Sequence, residues 1–246
     1  MNFSRFEPFA TYDDDRPSRL ILFPHTSYES ICREEWFGRE AEWIRIANIL
    51  HWTLSYLGDP SRSNILLLQP ESEDIARNLA AHVPANQIQE ISGVADGGDQ
   101  AIVDLLAVRD RLEELRQSSF DLILVTGLFG RGATAADERA LLRAGRDVLK
   151  PGGMLLATFP LRDATGNALT ARNIQFVDAT GHAGFQQIEV LGCQGIAEYL
   201  DHAFWDRLRS QGHAAFDAVF NALGPLTDSP ATLWMSSEAL YIGNKV

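Results

Sequence analysis

Residues 120–160 read FDLILVTGLFGRGATAADERALLRAGRDVLKPGGMLLATFP. Phe120 to Val125 is an almost continuous apolar run, the pattern of a strand covered on both faces of its sheet. From Thr134 the period changes, and Leu141, Leu142, Ala144 and Val148 fall on one face of an amphipathic helix. Pro151, Gly152 and Gly153 stop that helix and turn the chain into a second apolar run, Met154 to Thr158. Buried strand, helix, buried strand is the repeating unit of a parallel sheet with helices on both faces.

Working outward, Asn64 to Leu68 is a short apolar strand, followed by the polar corner Gln69-Pro70-Glu71-Ser72 and a helix from Glu73 to about His82. NQIQEISG supplies a second strand. The stretch Ala101 to Gln117 is helical in its second half and open between strand and helix in its first. Beyond Pro160 come a looser stretch, the strand GFQQIEVLG, a helical region over residues 194–228, and the closing strand EALYIGNKV. Upstream, Trp36, Trp43, Ala47, Leu50, Leu54 and Leu57 recur at steps of three and four, so residues 33–57 form a helix that Gly58 and Pro60 end.

A length of 246 residues fits one domain, and 21 basic against 33 acidic residues give a net charge of -12. No basic block offsets that charge, so nucleic acid is excluded as a partner class. The longest apolar runs are too short to span a bilayer, and the first residues lack an export pattern, so a cytoplasmic protein with no membrane partner is expected. Cys32 and Cys193 stand far apart, and the six histidines form no i,i+4 pair, which argues against a disulfide framework and against a metal site.

The block from Phe120 to Pro160 resembles the second half of the class I S-adenosylmethionine-dependent methyltransferases. In that family a strand opening Phe-Asp-Leu is followed by a helix ending Leu-Lys-Pro-Gly-Gly and by the next strand; here these are Phe120-Asp121-Leu122, Leu149-Lys150-Pro151-Gly152-Gly153 and Met154 to Thr158. GFQQIEVLG and EALYIGNKV resemble the antiparallel closing pair of strands. The resemblance implies an α/β, Rossmann-like, doubly wound sheet of seven mostly parallel strands, the last antiparallel, with helices on both faces. It assigns residues 61–246 to a methyltransferase-like domain with a helical cap at about 194–228. Residues 1–60 become an N-terminal segment whose helix, with Trp36, Phe37, Trp43 and Trp52, acts as a lid, forms a partner surface, or simply packs on the sheet.

The same resemblance implies S-adenosylmethionine as cofactor and points to the residues that would hold it: Gln69 and Glu71 at the first corner, Glu90 at the end of the second strand where the family's acid accepts the ribose hydroxyls, Asp110 for adenine, and Thr126 after the fourth strand. Asp104 is the alternative to Asp110. The corner departs from the family pattern. The acid of the first motif is Leu67 here, and its three glycines are Gln69, Glu71 and Glu73. Glycine lets backbone N–H groups approach a ligand without a Cβ in the way, and carboxylates at that corner repel the carboxylate of the methionine tail. The (Asp/Asn)-Pro-Pro-(Tyr/Phe) signature of base methylation is replaced by TGLFGRG, which also lacks the lysine of a P-loop. His182, shortly before the strand at Phe185, is the candidate general base, expected near the open end of the sheet. Two readings stay open: a non-catalytic binding or scaffolding subunit with a protein partner, or an active methyltransferase on a small molecule with a rebuilt cofactor loop. Recruitment of the fold to another small-molecule reaction is a third. Oligomeric state is open in all of them.

Overall fold

The computed structural model describes residues 32–68, 73–91, 105–115, 119–130, 134–163, 165–227 and 230–246. In chain order the main elements are α1 (Glu40–Tyr56), β1 (Ile65–Leu68), α2 (Glu73–Leu79), β2 (Ile88–Ile91), α3 (Leu105–Glu113), β3 (Phe120–Val125), α4 (Ala135–Val148), β4 (Leu149–Pro160), α5 (Thr170–His182), β5 (Phe185–Gly192), α6 (His202–Gln211), α7 (His213–Thr227) and β6 (Glu238–Lys245). Short 3-10 turns at Gly195–Tyr199 and Pro230–Met235 flank the two cap helices.

The strands form one sheet in the order β2-β1-β3-β4-β6-β5, with β6 antiparallel between β4 and β5 and the other pairings parallel. Alternate residues of the central strands feed two apolar layers. Ile65, Leu67, Leu122, Leu124, Leu156, Leu240 and Ile242 meet α1, α2, α6 and α7 through residues such as Ile49, Ile75, Leu79, Trp205 and Phe216. Leu66, Leu68, Ile123, Val125, Leu155 and Tyr241 meet α3, α4 and α5 through Val108, Leu112, Leu141, Leu142 and Phe176. Strands sandwiched this way need apolar side chains in both directions, which is why β1 and β3 show no alternation.

The described residues hold six strands, one fewer than the seven expected. The difference lies between β2 and β3, where Leu105–Glu113 is a helix that covers the sheet with Val108 and Leu112. Residues 92–104, including Asp104, lie outside the described residues. The helix of the N-terminal segment, α1, is a core layer: Trp43, Ile49 and Trp52 are buried. No described helix is long and apolar enough to cross a membrane.

The two signatures Phe-Asp-Leu and Lys-Pro-Gly-Gly meet at the leading ends of the parallel strands. Asp121 Oδ2 accepts from the backbone N–H of Asn64 at 2.8 Å, and Lys150 Nζ donates to both Asp121 oxygens at 2.8 and 2.7 Å. Leu149 pairs with Phe120, the register then shifts, and pairing resumes at Leu122 with Met154. The turn residues Lys150 to Gly153 are thus looped out within β4, so the strand begins at Leu149, earlier than the sequence pattern implies. Gly152 takes φ 72° in this loop, and a Cβ on Gly153 would lie 2.9 Å from Lys150 O and 3.2 Å from Asp121 O. α4 starts with a capping box, Thr134 Oγ1 accepting from Asp137 N and Thr134 N donating to Asp137 Oδ2.

The N-terminal helix is latched to the cap by Glu40, only 4% exposed, whose Oε1 accepts from Arg209 Nη2 at 2.6 Å and from Gly38 N at 3.1 Å. Burial alone would raise this carboxyl; the Arg209 hydrogen bond and the backbone donors outweigh it and hold it below the ordinary 4.5. Phe37 lies 4.3 Å from the Arg209 guanidinium and covers it.

Two measurements follow from these contacts. Gly153→Ala should cost about 1–3 kcal/mol in chemical denaturation, because two backbone oxygens crowd the new methyl together with Leu149 Cδ2; a loss under ~0.5 kcal/mol would show that the loop simply yields. The depressed Glu40 carboxyl contributes stability that is fully present above the ordinary 4.5 and is lost as pH falls through its lowered value. Arg209→Met removes the leading hydrogen bond, so the variant should be less stable than wild type at neutral pH and the gap should narrow as pH falls below the ordinary 4.5; a gap that does not change with pH would refute the latch.

Candidate functional site

Strand order reverses at β1. From β1 the chain crosses by way of α2 to β2 on one side, whereas β3 crosses by way of α4 to β4 on the other. Such a switch point leaves a crevice outside the carboxyl ends of the two strands, here Leu68 of β1 and Val125 of β3, which pair in register. The described residues at its mouth are Glu90 and Ile91 of β2 and the loop Thr126 to Gly130.

That loop is fixed from every side. Thr126 N donates to Leu68 O at 3.0 Å, and Gly127 N donates to Thr158 Oγ1 at 3.0 Å. Leu128 and Phe129 turn inward and are buried, Phe129 packing on Phe176 with ring centroids 4.7 Å apart. Gly130 takes φ 84° and donates to Glu138 Oε1 at 3.0 Å, and a Cβ there would strike Pro160. Glu138 is itself buried and paired with Arg172 at 2.8 Å. Thr126 is nearly buried on the α1 side of the sheet, and its hydroxyl has no hydrogen-bond partner among the described residues. Thr126 to Gly130 contribute no titratable side chain.

Glu90 stands one residue before the end of β2, exposed, at the register position of Leu67. Asp110 sits on an exposed face of α3, hydrogen-bonded by Arg109 Nη2 at 2.5 Å and Nε at 3.0 Å. Gln69 and Glu71 lie outside the described residues, as does the side chain of Glu73. His182 requires a correction. It ends α5, beside Phe185 where β5 begins, and β5 runs parallel to β4; an α5 that starts beyond β4 must finish at the amino edge of the sheet, opposite the crevice. There its Nδ1 donates to Asp178 O at 2.7 Å and terminates the helix. The structure therefore brings Glu90 and Thr126 to one edge and leaves His182 at the other.

A second polar group at the carboxyl edge escapes sequence reading because its members come from three distant segments. Arg45 of α1 donates through Nε to Glu238, the first residue of β6, and through Nη1 to Glu42 at 2.9 Å. Burial would lower the Arg45 pKa, but the Glu238 carboxylate beside it prevails and raises it, so the guanidinium stays charged. Asn48 Nδ2 donates to Cys193 O at 2.6 Å. Burial, reinforced by the Glu238 charge, pushes the Cys193 thiol well up, so it is a neutral, inert sulfur. The lone signal in the sequence is an arginine set within an apolar helix. No group of three or more histidine, cysteine, aspartate or glutamate side chains able to hold a metal occurs among the described residues.

No family model matches the chain. No curated protein sequence matches it. Among solved structures it is similar to a SAM dependent methyltransferase from Archaeoglobus fulgidus, with TM-score 0.51 and 12% identity over 86% of this chain and 97% of that one. The fold is that of a class I S-adenosylmethionine-dependent methyltransferase. The N-methyltransferase NodS from Bradyrhizobium japonicum WM9 is also similar, with TM-score 0.48 and 17% identity over 84% of this chain and 97% of that one.

Against the methyltransferase pattern, the described residues place one acid, Glu90, near the carboxyl end of β2. At the position of the first-motif acid they place none: Leu67 is 1% exposed and lies in the apolar layer with Ile75 and Leu79 of α2 and Ile49 of α1. A carboxylate there would lose its hydration with no partner. Leu67→Asp is accordingly expected to destabilise the protein by ~3 kcal/mol or more in denaturant melts, despite restoring the family's residue. An unchanged midpoint would show that the position is open to solvent or to a ligand.

Proposed function

We propose that this chain is a methyltransferase-fold protein with a degenerate S-adenosylmethionine site that works as a non-catalytic binding or scaffolding subunit. The observation that carries the reading is Leu67, an apolar core residue at 1% exposure where the fold family holds an acid. Two further features support it. The first corner replaces three glycines with Gln69, Glu71 and Glu73, and the loop after β3 spends Leu128 and Phe129 on the core and offers the crevice no proton-transfer group. In-line methyl transfer to a weak nucleophile asks for a positioned base, and the one sequence candidate, His182, is at the far edge.

A second reading keeps the protein active on a small-molecule acceptor. Glu90 favours it, an exposed acid near the end of β2 where ribose hydroxyls would be accepted, together with the unpartnered Thr126 hydroxyl on the neighbouring side of the crevice. In that case Glu90 and Thr126 hold the cofactor, and backbone from elsewhere supports the methionine moiety. The cofactor would supply an electrophilic methyl group, and the chain would supply orientation.

Calorimetry separates the readings. The subunit reading expects no saturable heat from S-adenosylmethionine or S-adenosylhomocysteine up to about millimolar ligand, and a stable protein complex recovered at the native expression level. Binding in the micromolar range that Glu90→Ala abolishes, worth roughly 8 kcal/mol at 1 μM, would overturn it in favour of the enzyme.

A further inference from the structure

At the amino edge of the sheet, opposite the crevice, an open groove is lined by Arg143, Arg146 and Asp147 of α4, by His182 at the end of α5 and by Ala183 and Gly184 after it. Cations at helix C-termini are ordinary, since they complement the macrodipole. Two side chains here bond helix C-terminal carbonyls: Lys245 Nζ donates to Leu149 O at 2.6 Å just past the end of α4, and His182 bonds the Asp178 carbonyl of its own helix. Arg146, in the last turn of α4, also sits where the macrodipole favours a cation; Arg143, a turn earlier, does not.

Arg143 is exposed, with no hydrogen bond or ion pair to another described residue. The Arg146 guanidinium is half-buried over Gly184. Its nearest acceptors are distant, Val246 O at 3.4 Å from Nη2 and Asp147 Oδ1 at 3.7 Å from Nη1, and its enclosed Nε has none. An enclosed charged donor without an acceptor is costly and calls for an explanation. Gly184 is built to admit this arginine: it takes φ 89°, and a Cβ on it would lie 2.6 Å from Arg146 Nε. The cations also repel one another. Burial first, and then the Arg146 charge, lower the Lys245 pKa. Arg143 and Arg146 in the groove and Lys245 beside Arg146, with Asp147 as the lining carboxylate, form a local excess of basic side chains in a chain whose net charge is -12.

We propose that this groove binds a phosphate-class oxyanion, held by the guanidiniums of Arg143 and Arg146 with Lys245 behind them and His182 at the rim. Donors from α4 and from the end of α5 face the groove from two sides, with Lys245 of β6 adding its charge beside Arg146. That arrangement suits a tetrahedral dianion better than a planar carboxylate, which a single guanidinium engages in its own plane. The site lies across the sheet from the crevice, so it stands whichever reading of the cofactor site holds.

The test titrates inorganic phosphate into the full chain at constant ionic strength, with chloride as the balancing salt, and follows the backbone amide signals of Ala183 and Gly184. The proposal expects saturable shifts there, weaker binding of acetate, and a loss of affinity of about tenfold in Arg143→Gln, the loss of one charge-assisted contact. Arg143 has no protein partner, so Arg143→Gln should keep the wild-type thermal midpoint. Arg207→Gln, an arginine of α6 away from the groove, should bind phosphate as wild type does. Shifts that grow linearly with phosphate, acetate binding as tight as phosphate, or an Arg143→Gln variant that binds unchanged would each overturn the proposal.

Discussion

The pairing of β1 with β3 removes two adjacent strands from water on both faces, and their backbone groups must then find partners within the sheet. Ile65 to Leu68 and Leu122 to Val125 do so in unbroken register, and a slip of one residue would turn each side chain to the opposite apolar layer. Asp121 anchors that register at its leading end, tying Asn64 of the β1 approach to Lys150 of the β4 loop. At the trailing end Thr126 N continues the ladder onto Leu68 O. The position of every group at the carboxyl edge is set by this one ladder.

The same constraint shapes the crevice. A strand buried on both faces has no room for a charged residue without a partner, and Leu67 fills the place with an apolar side chain shared between α1 and α2. Burying it stabilises the fold by roughly 2 kcal/mol, where an unpaired carboxylate would cost more than that. The loop after β3 answers to packing as well. Phe129, Phe159 and Phe176 stack in the layer beneath it, and Gly127 and Gly130 bend the backbone so that Leu128 and Phe129 can reach inward. Among the described residues of that rim, Thr126 carries the hydroxyl nearest the end of β3.

Phe120 to Val125, Ala135 to Val148 and the strand after Gly153 are legible because their side chains report their surroundings locally: continuous apolar character for a sandwiched strand, a 3.6-residue period for a one-sided helix. The same holds for α1, for α6 and α7 and for β6. Leu105–Glu113 is less legible, since a run such as AIVDLLAV suits a strand or a buried helix equally well, and packing on α4 decides for the helix. His182 shows the other limit. Its place three residues before β5 is plain in the chain, yet which edge of the sheet it occupies follows from the direction of α5 and the parallel run of β5 with β4.

Composition, periodicity and the two signatures around Asp121 and Lys150 were enough to determine a doubly wound α/β sheet and to mark Leu67 and the glycine-free corner as departures from the family pattern. Those features are properties of residues and their nearest neighbours along the chain. The count of six strands among the described residues, the burial of Leu67 under α1, the Arg45–Glu238 pair, the far placement of His182 and the meeting of Arg143 and Arg146 with His182 along one groove were decided by tertiary structure alone. Each joins segments separated by tens of residues or more, and only the packing of helices on a fixed sheet brings such segments within a few ångströms.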